Sequence, residues 1–289
     1  MSGILDIGPL RSLVAVADTG GFQRAATSLH LSQGAVSQHV RRLEAALGRT
    51  LVEREGRGSR FTTDGEALLL HARRILAAHD ETLHAFGVEL ERTLLIGSTE
   101  HAAAQLLPDL TASLAARFPD RRIRFRIDRG SQLRTALLDG RVDLALLLGP
   151  AEEPEARTVG ELNLTWYSAP GWQLPPTGEP IPLVAFDAPC ALRSRALETL
   201  AANRRSAEVG CEAAHLAGVQ AAVRAGLGVG LMATFGQRLD GLVARDDLPP
   251  PQPLELSVWP RRGLGADLVE GAAATLLDLL STGATRRHD

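Results

Sequence analysis

The chain has 289 residues, 45% apolar and 22% charged, with a net charge of -3. That balance is ordinary for a folded water-exposed protein of two or three compact units and excludes a disordered tail. No apolar run reaches the roughly 18 to 20 residues of a membrane span, and no basic segment leads into an apolar core at the N-terminus, so the expected compartment is the cytoplasm. Cys190 and Cys211 are too few for a disulfide framework or a zinc site and are expected to be reduced thiols. All 31 basic side chains are Arg, which reads as a compositional bias without functional content. Their distribution is more informative: residues 1 to 62 carry eight Arg against five acidic residues, a charge of +3, which leaves -6 for the remainder. A basic N-terminal unit on an acidic body points to a polyanion met by the first unit alone.

In chain order, Leu10, Leu13, Val14 and Ala17 recur at helical spacing until "DTGGF" (18–22) stops the helix with two glycines. A second helix is expected from Gln23 to Leu29, with Ala25 and Ala26 small enough for another helix to approach closely. His30 tolerates an unusual turn conformation and Ser32 can cap a third helix through its hydroxyl. In that helix Val36, Val40, Leu43 and Leu47 form a buried stripe, while Gln33, Ser37, Gln38 and Arg41 face outward. Such groups suit base edges and phosphates in a major groove, so the interruption at His30 would let one helix brace another that enters DNA. Next, "RTLVEREGRGSRFTTDG" (49–65) reads as two short strands, about 51–54 and 60–62, with Arg57 and Arg60 beside a glycine-rich tip placed for phosphate or minor-groove contact.

The segment "FQRAATSLHLSQGAVSQHVRRLEAALGRTLVEREGRGSRFTTDGE" resembles the winged helix-turn-helix of LysR-type transcriptional regulators, and the resemblance is close over residues 8 to 90. It implies that Ser32, Gln33, Ser37 and Gln38 touch bases and that Arg57 or Arg60 is the wing arginine. Val52 stands where the family often has Phe, and Thr63 where it often has Pro; both fit packing and capping.

From 64 to 90 the sequence reads as one helix, capped by Thr62 or Thr63 with Glu66 three residues beyond Thr63. Leu69, Ala72, Leu76, His79, Leu83, Phe86 and Leu90 make a heptad seam that calls for a partner helix. A homodimer would present two recognition helices to a two-fold symmetric DNA target. The family resemblance further implies that dimers assemble into tetramers.

From Thr93 onward strands and helices alternate: "TLLIGS" (93–98), helix 101–117, "IRFRID" (123–128), helix 131–138 and "VDLALLLG" (142–149). A second set follows, with strand 181–187, helix 190–202, a strand near 206–210, helix 212–225 and strand 228–232. "LELSVWP" (254–260) and helix 265–280 are expected to return to the first set. The overall expectation is an α/β chain: a winged helix-turn-helix (1–63), a linker helix for dimerisation (64–91) and a two-lobed domain (92–289) like the periplasmic binding proteins. Lobe I would take 92–161 and 262–289, and lobe II 162–261.

Ligands of open α/β sheets bind beyond the carboxyl ends of strands, at helix N-termini. That rule nominates Ser98, Thr99, Glu100 and His101, then Ser131 and Gly149, and in the second lobe Ser168, Cys211, Glu212 and His215, with the last three at a helix opening. The resemblance implies a small-molecule effector there. Glu100 and Glu212, if they face the cleft, disfavour a strongly anionic effector unless Arg stands nearby. "GLGVG" (226–230) follows a helix and precedes a strand, the reverse of a dinucleotide loop, and Cys211 with His215 lacks a third catalytic group, so neither cofactor, metal nor enzymatic activity is expected. Two alternatives remain open: redox sensing through Cys211 and Cys190, and a solute-binding or enzymatic two-lobed protein whose N-terminal unit only oligomerises.

Overall fold

The computed structural model describes residues 4–55, 58–86, 88, 92–233 and 239–285. They form two compact units, the first made of residues up to 91 together with 138–141 and the second of the remaining residues from 92 onward.

The first unit begins with helices α1 (Ile7–Thr19), α2 (Phe22–Ser28) and α3 (Gln33–Leu47). Gly20, at φ 73°, ends α1 in the left-handed region that a side chain would strain. His30 adopts the same region at φ 54°, and its neighbour Leu31 N–H reaches back to Ala26 O at 2.9 Å. The chain thus reverses sharply, and Ser32 Oγ caps α3 by accepting from Ala35 N–H at 3.1 Å. Val36, Val40 and Leu43 are buried as expected, packed with Leu10, Leu13, Ala25 and Ala26. Leu47 is not: it is 41% exposed, because α3 ends there and Gly48 turns the chain away. Glu44 Oε1 accepts from the N–H groups of Leu51 and Val52, which ties α3 to the hairpin β1 (Val52–Glu55) and β2 (Gly58–Phe61), paired antiparallel.

Helix α4 (Thr63–Ala85) follows. Its cap is Thr62, whose Oγ1 accepts from Gly65 N–H, rather than a Thr63–Glu66 box. Gly65 lies against the Leu51 backbone, where any side chain would collide. The expected seam is corrected here: Leu69, 6% exposed, and Ala72 lie in the core of the first unit with Leu10, Leu13 and Leu51, and Leu76 packs against that core. The apolar demand of the first half of α4 is met inside its own unit. Arg73 pairs with Asp18 and Arg11 with Asp80, fixing α4 to α1. Phe86, just beyond the helix, is 83% exposed; Leu90 lies outside the described residues.

The second unit contains two sheets. The first is built from β3 (Arg92–Ser98), β4 (Arg121–Ile127), β5 (Leu144–Leu148) and β6 (Arg157–Leu162), with α5 (Glu100–Arg117) and α6 (Gly130–Leu138) as crossovers. The second draws on β7 (Leu164–Ser168), β8 (Ile181–Phe186), α7 (Ala191–Ala202), β9 (Ala207–Ala213), α8 (Leu216–Arg224), β10 (Gly230–Ala233) and β11 (Val243–Ala244). Strand β12 (Leu254–Pro260) and helix α9 (Ala266–Thr285) complete the chain.

The strand order of the first sheet is β4-β3-β5-β12-β6, with β3 parallel to β4 and β5 and with β12 antiparallel to β5 and β6. In the second, β8 pairs parallel with β9 while β10-β7-β11 is antiparallel, and the Leu183–Val229 bridge joins the two groups. The same pattern, two parallel crossovers beside antiparallel strands, therefore occurs twice. Because β12 belongs to the first sheet, the return crossing precedes Leu254, and the second lobe is shorter than the expected 162–261. Fully apolar β5 is buried on both faces, as a central strand requires. Asp143 clamps its start, accepting from Leu95 N–H and from Arg261 Nε at 2.8 Å.

Candidate functional site

On the first unit, buried Ser12 of α1 shares a 2.7 Å hydrogen bond with His39 Nδ1 and so holds α3 in place beside its apolar stripe. The opposite side of α3 presents Ser32, Gln33, Gln38 and Arg41, all exposed, with Ser37 half-buried. Ser37 and Arg41 border a shallow groove whose other wall is Arg54 and Ser59 of the hairpin. Arg54, on β1 itself, stands on this groove although the sequence nominates only the arginines beside the hairpin tip. Arg60 is exposed and pairs with Glu53 at 2.6 Å across the hairpin, which holds it beside β1. Arg57 lies outside the described residues. The result is a helix whose hydrogen-bonding face is free while its other face is fixed by packing, the arrangement needed to insert a helix into a groove.

On the second unit, a cavity of about 350 Å³ opens where the carboxyl ends of strands from both sheets meet. Five nominated residues line it: Thr99, Glu100, His101, Ser131 and His215. The other five do not. Ser98 and Ser168 are fully buried at strand ends, each hydroxyl donating to the next residue's carbonyl. Gly149 is engaged with β12, its N–H donating to Glu255 O and its carbonyl accepting from Ser257 Oγ. Cys211 and Glu212 lie within β9 and not at a helix opening, since the strand runs to Ala213 and α8 starts only at Leu216. Glu212 pairs there with Arg193. The helix pattern read from 212 misplaced this boundary because Ala213 and Ala214 fit either state.

The cavity also takes residues that the sequence did not nominate: Phe186 at the end of β8 with Cys190 and Ser194 beyond it, and Asp128, Arg129 and Arg134 after β4. The rule of strand carboxyl ends, applied to β8 as it was to β3, would have found the first group.

Two polar links cross the cavity between the sheets. Glu100, in the first turn of α5, accepts from His215 Nδ1 at 3.0 Å and from Leu216 N–H, the opening amide of α8. Arg129 donates to Asp187 Oδ2 at 2.6 Å and to Asp187 O at 2.8 Å. A carboxylate on a helix N-terminus and a two-pronged arginine are both charge-assisted contacts. His101 is 4% exposed and sits edge-on to Phe186 with ring centroids 5.1 Å apart. Burial lowers its pKa from 6.5 to about 4 against the opposing pull of Glu100. The Ala233 backbone also favours the charged ring, yet neither ring nitrogen has a hydrogen bond of normal geometry. Burial pushes the Cys190 thiol up, away from the thiolate that redox chemistry uses; both cysteines are free and half-buried, and Cys190 lines the cavity while Cys211 does not. Among the described residues, no helix is long and apolar enough to cross a membrane.

Residues 7–66 match the family model for the bacterial regulatory helix-turn-helix protein of the lysR family, and residues 88–282 match the LysR substrate binding domain. The chain is 33% identical over 226 residues to the HTH-type transcriptional regulator PecT of Dickeya dadantii (strain 3937), covering 78% of this chain and 71% of that one. It is 31% identical over 249 residues to the regulator DgdR of Burkholderia cepacia, covering 85% and 84%. The fold resembles a full-length OxyR variant from Pseudomonas aeruginosa, with a TM-score of 0.72 at 20% identity over 95% of this chain and 98% of that one. With a helix-turn-helix that offers a free polar face and a two-sheet domain with a cavity between its strand ends, the chain belongs to the LysR family of DNA-binding transcriptional regulators.

Proposed function

We propose that α3 enters the major groove of a two-fold symmetric operator, with Ser32, Gln33, Ser37 and Gln38 on base edges and Arg41, Arg57 and Arg60 on phosphates. The observation that carries this reading is the exposed polar face of α3 opposite its buried stripe. A homodimer forms through the later part of the linker, from Leu76, His79 and Leu83 of α4 on through the sequence to Phe86 and Leu90, and dimers associate into tetramers. The functional parts are a DNA-binding unit (1–63), a linker helix (64–91) and an effector-binding domain (92–289) whose second lobe runs from about 163 to 253. A small-molecule effector occupies the cavity bordered by Thr99, Glu100, His101, Ser131 and His215. The chain acts as a regulator rather than an enzyme, in the cytoplasm where its DNA lies, in keeping with relatives that are transcriptional regulators.

A mobility-shift titration against the DNA upstream of the protein's own gene tests the reading. Gln33→Ala relaxes base preference at a cost of about 1 to 3 kcal/mol, whereas Arg41→Ala weakens all sequences alike and flattens the salt dependence. Retention of the shift by both variants without change refutes this placement of α3.

A further inference from the structure

Helix α3 is tied to its own unit by a polar bond whose placement suits it to control how DNA is read. Ser12 lies in α1, in sequence between buried Leu10 and Leu13, is itself 1% exposed, and shares a hydrogen bond with His39 Nδ1 at 2.7 Å. A hydroxyl buried in a core is costly unless it is hydrogen-bonded, so this bond is a condition of packing α1 against α3 with Ser12 at that position. The hydroxyl can donate to a bare Nδ1 or accept from Nδ1–H, so the bond holds whichever ring nitrogen carries the proton.

Apolar contact is non-directional, so the stripe of Val36, Val40 and Leu43 decides which face of α3 is buried more firmly than it decides the rotation of the helix about its axis. At 3.6 residues per turn, His39 lies about 70° to one side of that stripe and Glu44 about 70° to the other. Glu44 Oε1 accepts from the amides of Leu51 and Val52 at the start of the hairpin, while His39 meets Ser12 of α1. Two directional bonds therefore hold opposite flanks of one helix and fix its roll. Gln38, exposed, stands opposite the stripe and next in sequence to His39. On a helix about 10 to 12 Å across, a roll of about 20° carries an outer side chain about 2 Å. That exceeds the roughly 0.5 Å within which a binding constellation must be held.

We propose that Ser12 and His39 are positioning residues for base recognition: their bond sets the roll of α3, and with it the aim of Gln33, Ser37 and Gln38, without contact of their own to DNA. The preference for operator over other DNA depends on that bond. Non-specific binding, carried by arginines on phosphates, tolerates a roll that base edges do not. The inference rests on the reading of α3 as the helix that enters the groove.

Mobility-shift titrations of the full chain test the proposal with two probes: the duplex that the wild type selects from a randomised pool, and an unselected duplex of the same length. They are run at a temperature where circular dichroism shows each variant folded. Ser12→Ala and His39→Leu each lower the ratio of the two affinities about tenfold, with the unselected duplex bound as before. The double variant is no worse than either single one, since both remove the same bond. His39→Asn, whose side-chain amide carries a hydrogen-bonding atom in the place of Nδ1, restores most of the ratio that His39→Leu loses. An unchanged ratio in Ser12→Ala overturns the proposal, as do losses that add in the double variant, the mark of a direct contact between His39 and DNA. If Ser12→Ala does not fold, the two His39 variants decide: recovery with Asn supports the bond, and equal loss overturns it. Gln33→Ala is read beside them. A loss of ratio in Gln33→Ala with none in Ser12→Ala refutes the positioning role alone, whereas no loss in Gln33→Ala refutes the placement of α3 in the groove.

Discussion

His30 shows how a single backbone conformation shapes the DNA-binding unit. Its positive φ of 54° lets Leu31 bond back to Ala26 while Ser32 caps the next helix, so only the four residues 29–32 separate α2 from α3. A β-branched side chain is strained in this region, and His30→Val should cost the first unit about 1 to 2 kcal/mol in urea unfolding. His30→Gly should stay within about 1 kcal/mol of the wild type, because relief of strain is offset by the greater entropy of the unfolded chain. A tolerant His30→Val variant would show that the turn is held by other contacts. His101 gives a second residue-level outcome. The unfolded imidazole takes up a proton near pH 6.5, whereas the buried ring resists protonation until about pH 4. Acid therefore favours the unfolded state: stability is full above pH 6.5 and falls by about 3 kcal/mol as pH drops to 4. Denaturation of the effector domain at pH 7.5 and pH 4.5 should show this slope, and His101→Phe should reduce it.

Among the elements, α4 divides its apolar residues between two tasks. Its first turns complete the core around Leu10, Leu13 and Leu51, while exposed Phe86 follows directly on its far end. Leu69→Ala should therefore cost about 2 to 5 kcal/mol and lower the melting temperature of the first unit. Phe86→Ser should leave that temperature unchanged and weaken self-association in sedimentation velocity. The reverse pattern would return Leu69 to an intersubunit seam. A heptad is visible in sequence over the whole helix, but periodicity records only that a face is apolar. Whether a given turn meets its own unit or a second chain depends on where α1 and the hairpin lie.

For the molecule as a whole, the two sheets of the effector domain share one strand pattern and enclose the cavity between their strand ends. Glu100 and Arg129 connect the sheets across it, so any ligand that enters competes with or reinforces those links. A ligand shifts such an equilibrium only through a difference in affinity between the arrangements. Glu100→Ala removes the acceptor at the opening amide of α8, and hydrogen exchange at Leu216 should speed up about tenfold while α7 amides remain protected. Unchanged exchange at Leu216 would mean that the link does not restrain α8.

The sequence by itself determined the helix-turn-helix, its polar outer face and the α/β alternation of the second unit. These follow from local spacing: 3.6-residue and continuous apolar patterns, a capping Ser32, and glycines that stop helices. Only the tertiary structure decided which nominated polar residues share the cavity. Ser98, Gly149 and Ser168 occupy strand ends like Thr99, but neighbouring strands and carbonyls already meet their hydrogen-bonding needs. It also assigned β12 to the first sheet and brought Arg129 and the segment after β8 to the same cavity, since partners that lie tens of residues apart leave no periodic trace in the chain.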